Sequence, residues 1–226
     1  MKKLFTVVIL PILIVLLAWL IYKGIQKPIQ FDKLKVAREA VAVQKLKDIR
    51  TLQVAYKNKH GKFASSIDSL IDFYKNGKMV IVKQIGSVND SAMVAHTEAV
   101  KKANRGINDK GLYELYLKGD KNLVFSIPSE IDIKDTLLKR ENYSIDSLAN
   151  IPFANGQKIG LQSVIKKVSG VDVPLFEATI PYKILLNGLD NQQIINLVAE
   201  RETLGKYPGL KVGSIETPNN NAGNWE

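Results

Sequence analysis

Few residues in this chain are suited to chemistry. His60 and His96 are its two histidines, and two carboxylate pairs stand at close spacing, Asp68/Asp72 and Asp132/Asp135. Histidine can serve as a general base or a metal ligand, and paired carboxylates can flank a scissile glycosidic bond. Here the spacing supports neither role. Each histidine stands alone, His60 in a Lys-rich turn and His96 in a polar stretch. Asp68 and Asp72 are i, i+4 on a predicted helix, where first-turn acids are favoured by the helix dipole. Asp132 and Asp135 fall at a predicted strand end. The 226 residues contain no G-x-S-x-G elbow, Gly-rich phosphate loop or H-E-x-x-H pair. They contain no cysteine either, which excludes disulfides, thiolate zinc sites, thiol nucleophiles and a cysteine-linked lipid anchor. The expectation is a non-enzyme with no catalytic, cofactor-binding or metal-ligating residues.

What organises the chain is its patterning. Leu4 to Tyr22 reads LFTVVILPILIVLLAWLIY, nineteen residues without a charge. At about 1.5 Å per residue that run covers roughly 28 Å, close to the hydrocarbon thickness of a bilayer. Lys2 and Lys3 precede it and Lys23 follows, while Trp19 and Tyr22 sit where aromatic rings favour the headgroup level. Pro11 lies inside, tolerated in a membrane as a kink. A cleaved signal peptide has a shorter apolar core and small residues before the cut; this run ends in bulky side chains, which favours an uncleaved anchor.

The net charge of +10 is unevenly placed. Lys23 to Lys62 holds eleven basic and three acidic residues, whereas from Phe63 onward nineteen of each cancel. A basic helix beside a bilayer attracts anionic headgroups, with about 1 kcal/mol per Lys or Arg near the surface. Lys23, Lys27, Lys33 and Lys35 are the expected headgroup contacts; the alternative is a solvated face that keeps the helix soluble. Nucleic acid is not an expected partner, because the body shows no basic patch or aromatic-rich motif. On orientation, a count of flanking positives places the carboxyl side inside. A short basic tail followed by an apolar run is, however, how bacterial export anchors begin, and the body is expected outside.

Asp32 to about Asn58 is free of Gly and Pro and rich in good helix formers. It is predicted as a stem helix ended by Gly61, with a short break from the anchor at Gln26-Lys27-Pro28. Its expected packing face is Leu34, Ala37, Val41, Leu46, Ile49, Leu52 and Tyr56. A second helix follows, capped by Ser65 with Asp68 three residues on, its apolar face Ile67, Leu70, Ile71 and Tyr74, and stopped by Gly77.

The stretch LKDIRTLQVAYKNKHGKFASSIDSLIDF, behind a membrane segment, resembles the amino-terminal helix of type IV pilins and pseudopilins over roughly residues 4–75. The matching positions are Ile49, Leu52, Ala55, Tyr56, Gly61, Phe63, Ile67 and Leu70. The resemblance implies a pilin-like architecture of anchor, stem and head. The prepilin cleavage motif is absent: Leu4 stands before Phe5 where the family has Gly, and Ile9 stands where it has Glu.

Beyond Gly77 the pattern turns to strands. Met79 to Gly86, Leu112 to Leu117, Asn122 to Ile127, Ile145 to Phe153, Lys158 to Val168, Val171 to Ile180, Tyr182 to Leu186 and Leu210 to Glu216 are predicted. Turns are expected at Gly119-Asp120, Asn155-Gly156, Ser169-Gly170 and Pro208-Gly209. Pro128 is expected to end one strand, and Pro174 to mark an edge or bulge. Asp190 caps a helix, with Gln193 three residues later and Ile194, Leu197, Val198 and Leu204 on its face. The fold class is α+β: a transmembrane helix continuing into a long stem helix, then a mainly antiparallel sheet head with packed helices. The divisions are 1–3 basic cytoplasmic tail, 4–22 transmembrane helix, 23–62 basic helical stem, 63–216 head and 217–226 flexible tail. Trp225 clips that tail onto the head or onto a partner, or belongs to a frayed end.

These features point to a non-catalytic, single-pass subunit of a bacterial envelope apparatus, packing through anchor and stem. It would sit in the inner membrane with its body periplasmic. Expected partners are the membrane, anionic headgroups and other envelope proteins, copies of itself included. The alternative is a tethered extracytoplasmic binding protein whose head holds a ligand or partner. A third reading turns the carboxyl side to the cytoplasm, with the stem a lipid-binding regulator.

Overall fold

The computed structural model describes residues 9–141 and 143–226. Lys2, Lys3 and the first residues of the apolar run lie outside the described residues. The chain is α+β, with a long apolar amino-terminal helix and two small antiparallel sheets. It divides into two compact units, Met1–Ile71 with Asn142–Glu226, and Asp72–Glu141. The stretch 63–216, expected as one head, is therefore shared between them.

The first unit is built on α1, Leu10–His60, 51 residues long. At about 1.5 Å per residue it measures roughly 77 Å. The expected break at Gln26-Lys27-Pro28 does not occur: the helix continues through Pro28. Proline there removes one bond, to the Gly24 carbonyl, and the regular turns on both sides outweigh that loss. Gly61 ends α1 as expected, in the left-handed conformation (φ 73°), its N–H donating to the Lys57 carbonyl.

Against α1 lies an antiparallel sheet of β3 (Gly160–Val168), β4 (Val171–Pro181) and β5 (Gly209–Gly213), in the order β3-β4-β5. Alternate residues of β4, namely Phe176, Ala178 and Ile180, are buried, together with Leu210 and Val212 of β5 and Leu46, Ile49 and Leu52 of α1. Period-two burial on the strand meets helical-period burial on α1, and each large aliphatic withdrawn from water contributes about 1.5–3 kcal/mol. Ser169-Gly170 turns the chain between β3 and β4 with φ 50° and 85°, both positive as a two-residue hairpin turn requires. Pro174 lies where β4 extends past β5, whose pairing covers only Glu177 to Pro181. Tyr182 to Leu186, expected as a strand, instead opens with a short helix, α5 (Tyr182–Leu185). The last helix, α6 (Asn191–Thr203), is capped as expected: Asp190 accepts from the Gln193 N–H at 3.1 Å. Ile194 and Val198 are buried on it, while Leu204 is exposed. Ile145 to Phe153 begins as a 3-10 turn, Ile145–Ser147, and forms only a single bridge, Asn150 to Lys158, around Asn155-Gly156. The tail is not loose. Gly213 N–H donates to the Ala222 carbonyl at 3.0 Å and Asn224 N–H to the Lys211 carbonyl at 3.0 Å, so the tail extends the sheet at β5. Trp225 packs on Gly223, where a Cβ would stand 2.3 Å from the indole.

Helix α2 (Ile67–Asn76) starts from Ser66 rather than Ser65, the Ser66 hydroxyl accepting from Ser69 N–H at 3.2 Å. The second unit then pairs β1 (Lys78–Ile85) with β2 (Phe125–Asp132), antiparallel. Between them run α3 (Ser91–Ala103) and α4 (Asp109–Leu117). The predicted strand Leu112 to Leu117 is thus helical. Leu112, Leu115 and Tyr116 sit at i, i+3, i+4, and the Asn108 side chain accepts from Gly111 N–H at 3.1 Å. Leu112, Leu123 and Phe125 form this unit's buried cluster. Pro128 does not end β2 but pairs opposite Val82 in mid-strand. In a two-stranded sheet each strand has an outer side, so a proline can turn its missing donor there.

Candidate membrane and assembly interface

The amino-terminal part of α1 is exposed on every side from Leu10 to Ile25. It is long and apolar enough to cross a membrane. Pro11, Ile12, Val15, Leu16 and Trp19 line a shallow, apolar groove along it. At its far end the Lys23 ammonium sits 4.8 Å from the Trp19 ring centre, and Gln26 donates to the Tyr22 hydroxyl at 3.1 Å. About two turns thus join two aromatic rings to a cation and an amide, the residue types that favour a membrane–water boundary. Lys23, Lys27 and Lys33 are exposed and Lys35 is half-buried.

The expected stem face divides in two. Leu46, Ile49 and Leu52 are fully buried within the first unit, and Tyr56 is half-buried. Leu34, Ala37 and Val41 are exposed, Leu34 by 50% and Val41 by 44%. The buried stripe begins at Phe31 and continues through Ala42, which the sequence pattern had not singled out. The stem is apolar on more than one side, so spacing alone blended a stripe facing its own sheet with one facing outward.

Several stem cations hold the fold itself. The Arg38 guanidinium donates to the Leu185 carbonyl at 3.0 Å and the Asn187 carbonyl at 2.8 Å, satisfying acceptors at the end of α5. It also lies 5.1 Å from the Phe153 ring centre. Lys45 donates to the Asn150 carbonyl at 2.9 Å and also to that of Ser147. Burial pushes its ammonium below the ordinary lysine value, and the Asp48 charge opposes that shift. Arg50 pairs with the Glu226 carboxylate at 2.7 Å. Arg38 and Lys45 are seven residues apart on one side of α1, a spacing that reads equally well as a solvated charge pattern. Beside them the Tyr182 hydroxyl donates to Glu39 at 2.6 Å. Burial and that carboxylate raise the phenol, which stays protonated.

Among the described residues no group of three His, Cys, Asp or Glu side chains is placed to hold a metal ion. His60 stacks on Tyr56, ring centres 4.3 Å apart. His96 bonds Asp120 at 2.8 Å. Asp72 accepts from Asn76, and Asp132 lies 3.7 Å from Lys134.

A cleft of about 270 Å³ opens in the first unit, lined by Tyr56, Lys62, Phe63, Ala64, Ser65, Ser163, Val164, Ile165 and Pro174. Its wall is set by Gln53, whose buried amide donates to the Ala64 carbonyl and accepts from the Ala64 N–H. Phe63 rests on Phe176 with ring centres 4.7 Å apart.

Comparison with family models, with curated proteins and with solved structures finds no match to this chain.

Proposed function

We propose that this protein is a non-catalytic, membrane-anchored assembly subunit of pilin-like design. It packs laterally through its anchor and the outward side of its stem, with its body outside the bacterial inner membrane. The observation that carries this reading is α1 itself: one helix runs from an apolar segment that is exposed on every side among the described residues into a stem that gives one stripe to its own fold and leaves Leu34, Ala37 and Val41 facing out. Anchor groove and stem stripe lie on a continuous helix, so one neighbouring helix can follow both. Lys23 and Lys27, one turn apart and exposed, support contact with anionic headgroups.

Native mass measurement in mild detergent tests it. The wild-type chain should run above the 25.2 kDa of one copy or with a bound envelope protein, and Ala37→Arg with Val41→Arg should release it. A chain that is monomeric and partner-free in membranes and detergent would leave the tethered binding protein as the better reading. A cysteine introduced in the tail, tested with a membrane-impermeant thiol reagent on intact spheroplasts, decides orientation: labelling places the body outside.

A further inference from the structure

The cleft at Phe63 adjoins a sheet edge whose polar groups point outward. Among the described residues, strand β3 is an edge strand, paired with β4 alone. Pro174, opposite Ile165, has no N–H to offer β3, and Tyr182 further along donates its N–H to Pro208 on the β5 side. Even-numbered residues of β4 therefore aim their backbone groups away from β3, and the ladder bonds fall on the odd ones. By the pairing of Ser163 with Phe176 and Ile165 with Pro174, the N–H and C=O of Ser163 and Ile165 face the open edge. No backbone partner for them occurs among the described residues. Ser163, Val164 and Ile165 are also the residues by which β3 lines the cleft, and Ile165 is 60% exposed.

The two segments that border this edge are basic, and Asp172 of β4 stands opposite Lys167. Residues 56–66 and 158–168 together carry six lysines and no Asp or Glu. Lys62 lines the cleft, and Lys167 lies two residues beyond Ile165 on the same strand face. We infer that the β3 edge from Ser163 to Ile165, with the cleft beside it, is a docking site for an extended segment of a partner protein. That segment would carry an aliphatic residue with an acidic residue two positions away on each side, so that all three share one strand face. It adds a strand through the outward backbone groups, places an aliphatic side chain between Phe63 and Pro174, and sets carboxylates against Lys62 and Lys167. Main-chain bonds supply affinity, while the cleft and lysines supply selectivity. The site lies apart from Leu34, Ala37 and Val41, so stem variants leave it intact and the two readings fail separately.

The test uses the full chain in phosphatidylcholine nanodiscs. The probe is a fluorescent, end-blocked peptide of about seven residues that carries glutamate, valine and glutamate at every second position on one strand face and threonine on the other, and its control carries lysine in place of glutamate. Saturable binding of the acidic peptide is expected, with the basic one weaker by about tenfold or more. Ile165→Pro removes an outward N–H without touching the β3–β4 ladder, so melting should hold while binding falls by about tenfold. Lys62→Glu with Lys167→Glu leaves the backbone edge intact and should invert the peptide preference. The inference is overturned if neither peptide binds, if both bind equally, or if Ile165→Pro leaves binding unchanged. It is also overturned if the chain associates with itself and Ile165→Pro abolishes that, because the edge then serves a second copy.

Discussion

Gln53 and Ala64 tie the end of the stem to the loop that follows it. The Gln53 side chain is fully buried, its Nε2 donating to the Ala64 carbonyl at 2.9 Å and its Oε1 accepting from the Ala64 N–H at 2.8 Å. One amide therefore substitutes for a missing strand partner, satisfying both backbone groups of a residue that regular structure does not reach. Gln53→Leu keeps the volume and leaves both groups buried and unpaired. At about 1–3 kcal/mol for each of the two orphaned groups, the full chain in detergent should lose about 2–6 kcal/mol in urea unfolding. Unchanged stability would show that water satisfies Ala64 and that the turn is not closed by Gln53.

Arg38 separates the cations that hold the fold from those that are exposed. Arg38→Ala removes two charge-assisted bonds to the carbonyls of Leu185 and Asn187 and should cost about 1–2 kcal/mol, discounted for partial exposure. Lys33→Ala, on an exposed cation with no hydrogen bond or ion pair among the described residues, should change urea unfolding by under about 0.5 kcal/mol. Equal effects would contradict this division of the basic stem.

Asp120 makes acid stability readable. Its hydrogen bond to His96 holds the carboxyl below its ordinary value. A carboxylate lowered in the fold contributes stability above its unfolded value, and that contribution is lost as pH falls through the folded one. Thermal unfolding followed from neutral pH down through the carboxylate range should fall less steeply in Asp120→Asn than in wild type. Parallel curves would show that the His96 contact does not survive in solution.

Local signals explain what was legible in the sequence. Gly61 after the stem, Ser169-Gly170 between two apolar runs and Asp190 before Gln193 each encode a conformation that neighbouring residues suffice to specify, and each is found in place. Leu112 to Leu117 misled because LYELYL satisfies period two and period 3.6 alike. The deciding signal was Asn108, an N-cap reaching Gly111. Tyr182 to Leu186 misled because its apolar residues suit a buried helix turn as well as a strand. The tail's pairing with β5 depends on backbone bonds from Lys211 and Gly213, which composition does not encode. The stem was legible as a helix but not in its orientation. Only the position of the sheet separates Leu46, Ile49 and Leu52 from Leu34, Ala37 and Val41, and that is a long-range fact.

A site-by-site crosslinking scan along the stem tests the central claim most directly. A photo-crosslinking residue is placed singly at each position from Lys33 to Asn58 and irradiated in native membranes. The account predicts adducts to a neighbouring protein at Leu34, Ala37 and Val41, recurring at helical period, and none at Leu46, Ile49 or Leu52. Adducts at no position, or a flat pattern that includes the buried residues, would contradict packing through the stem.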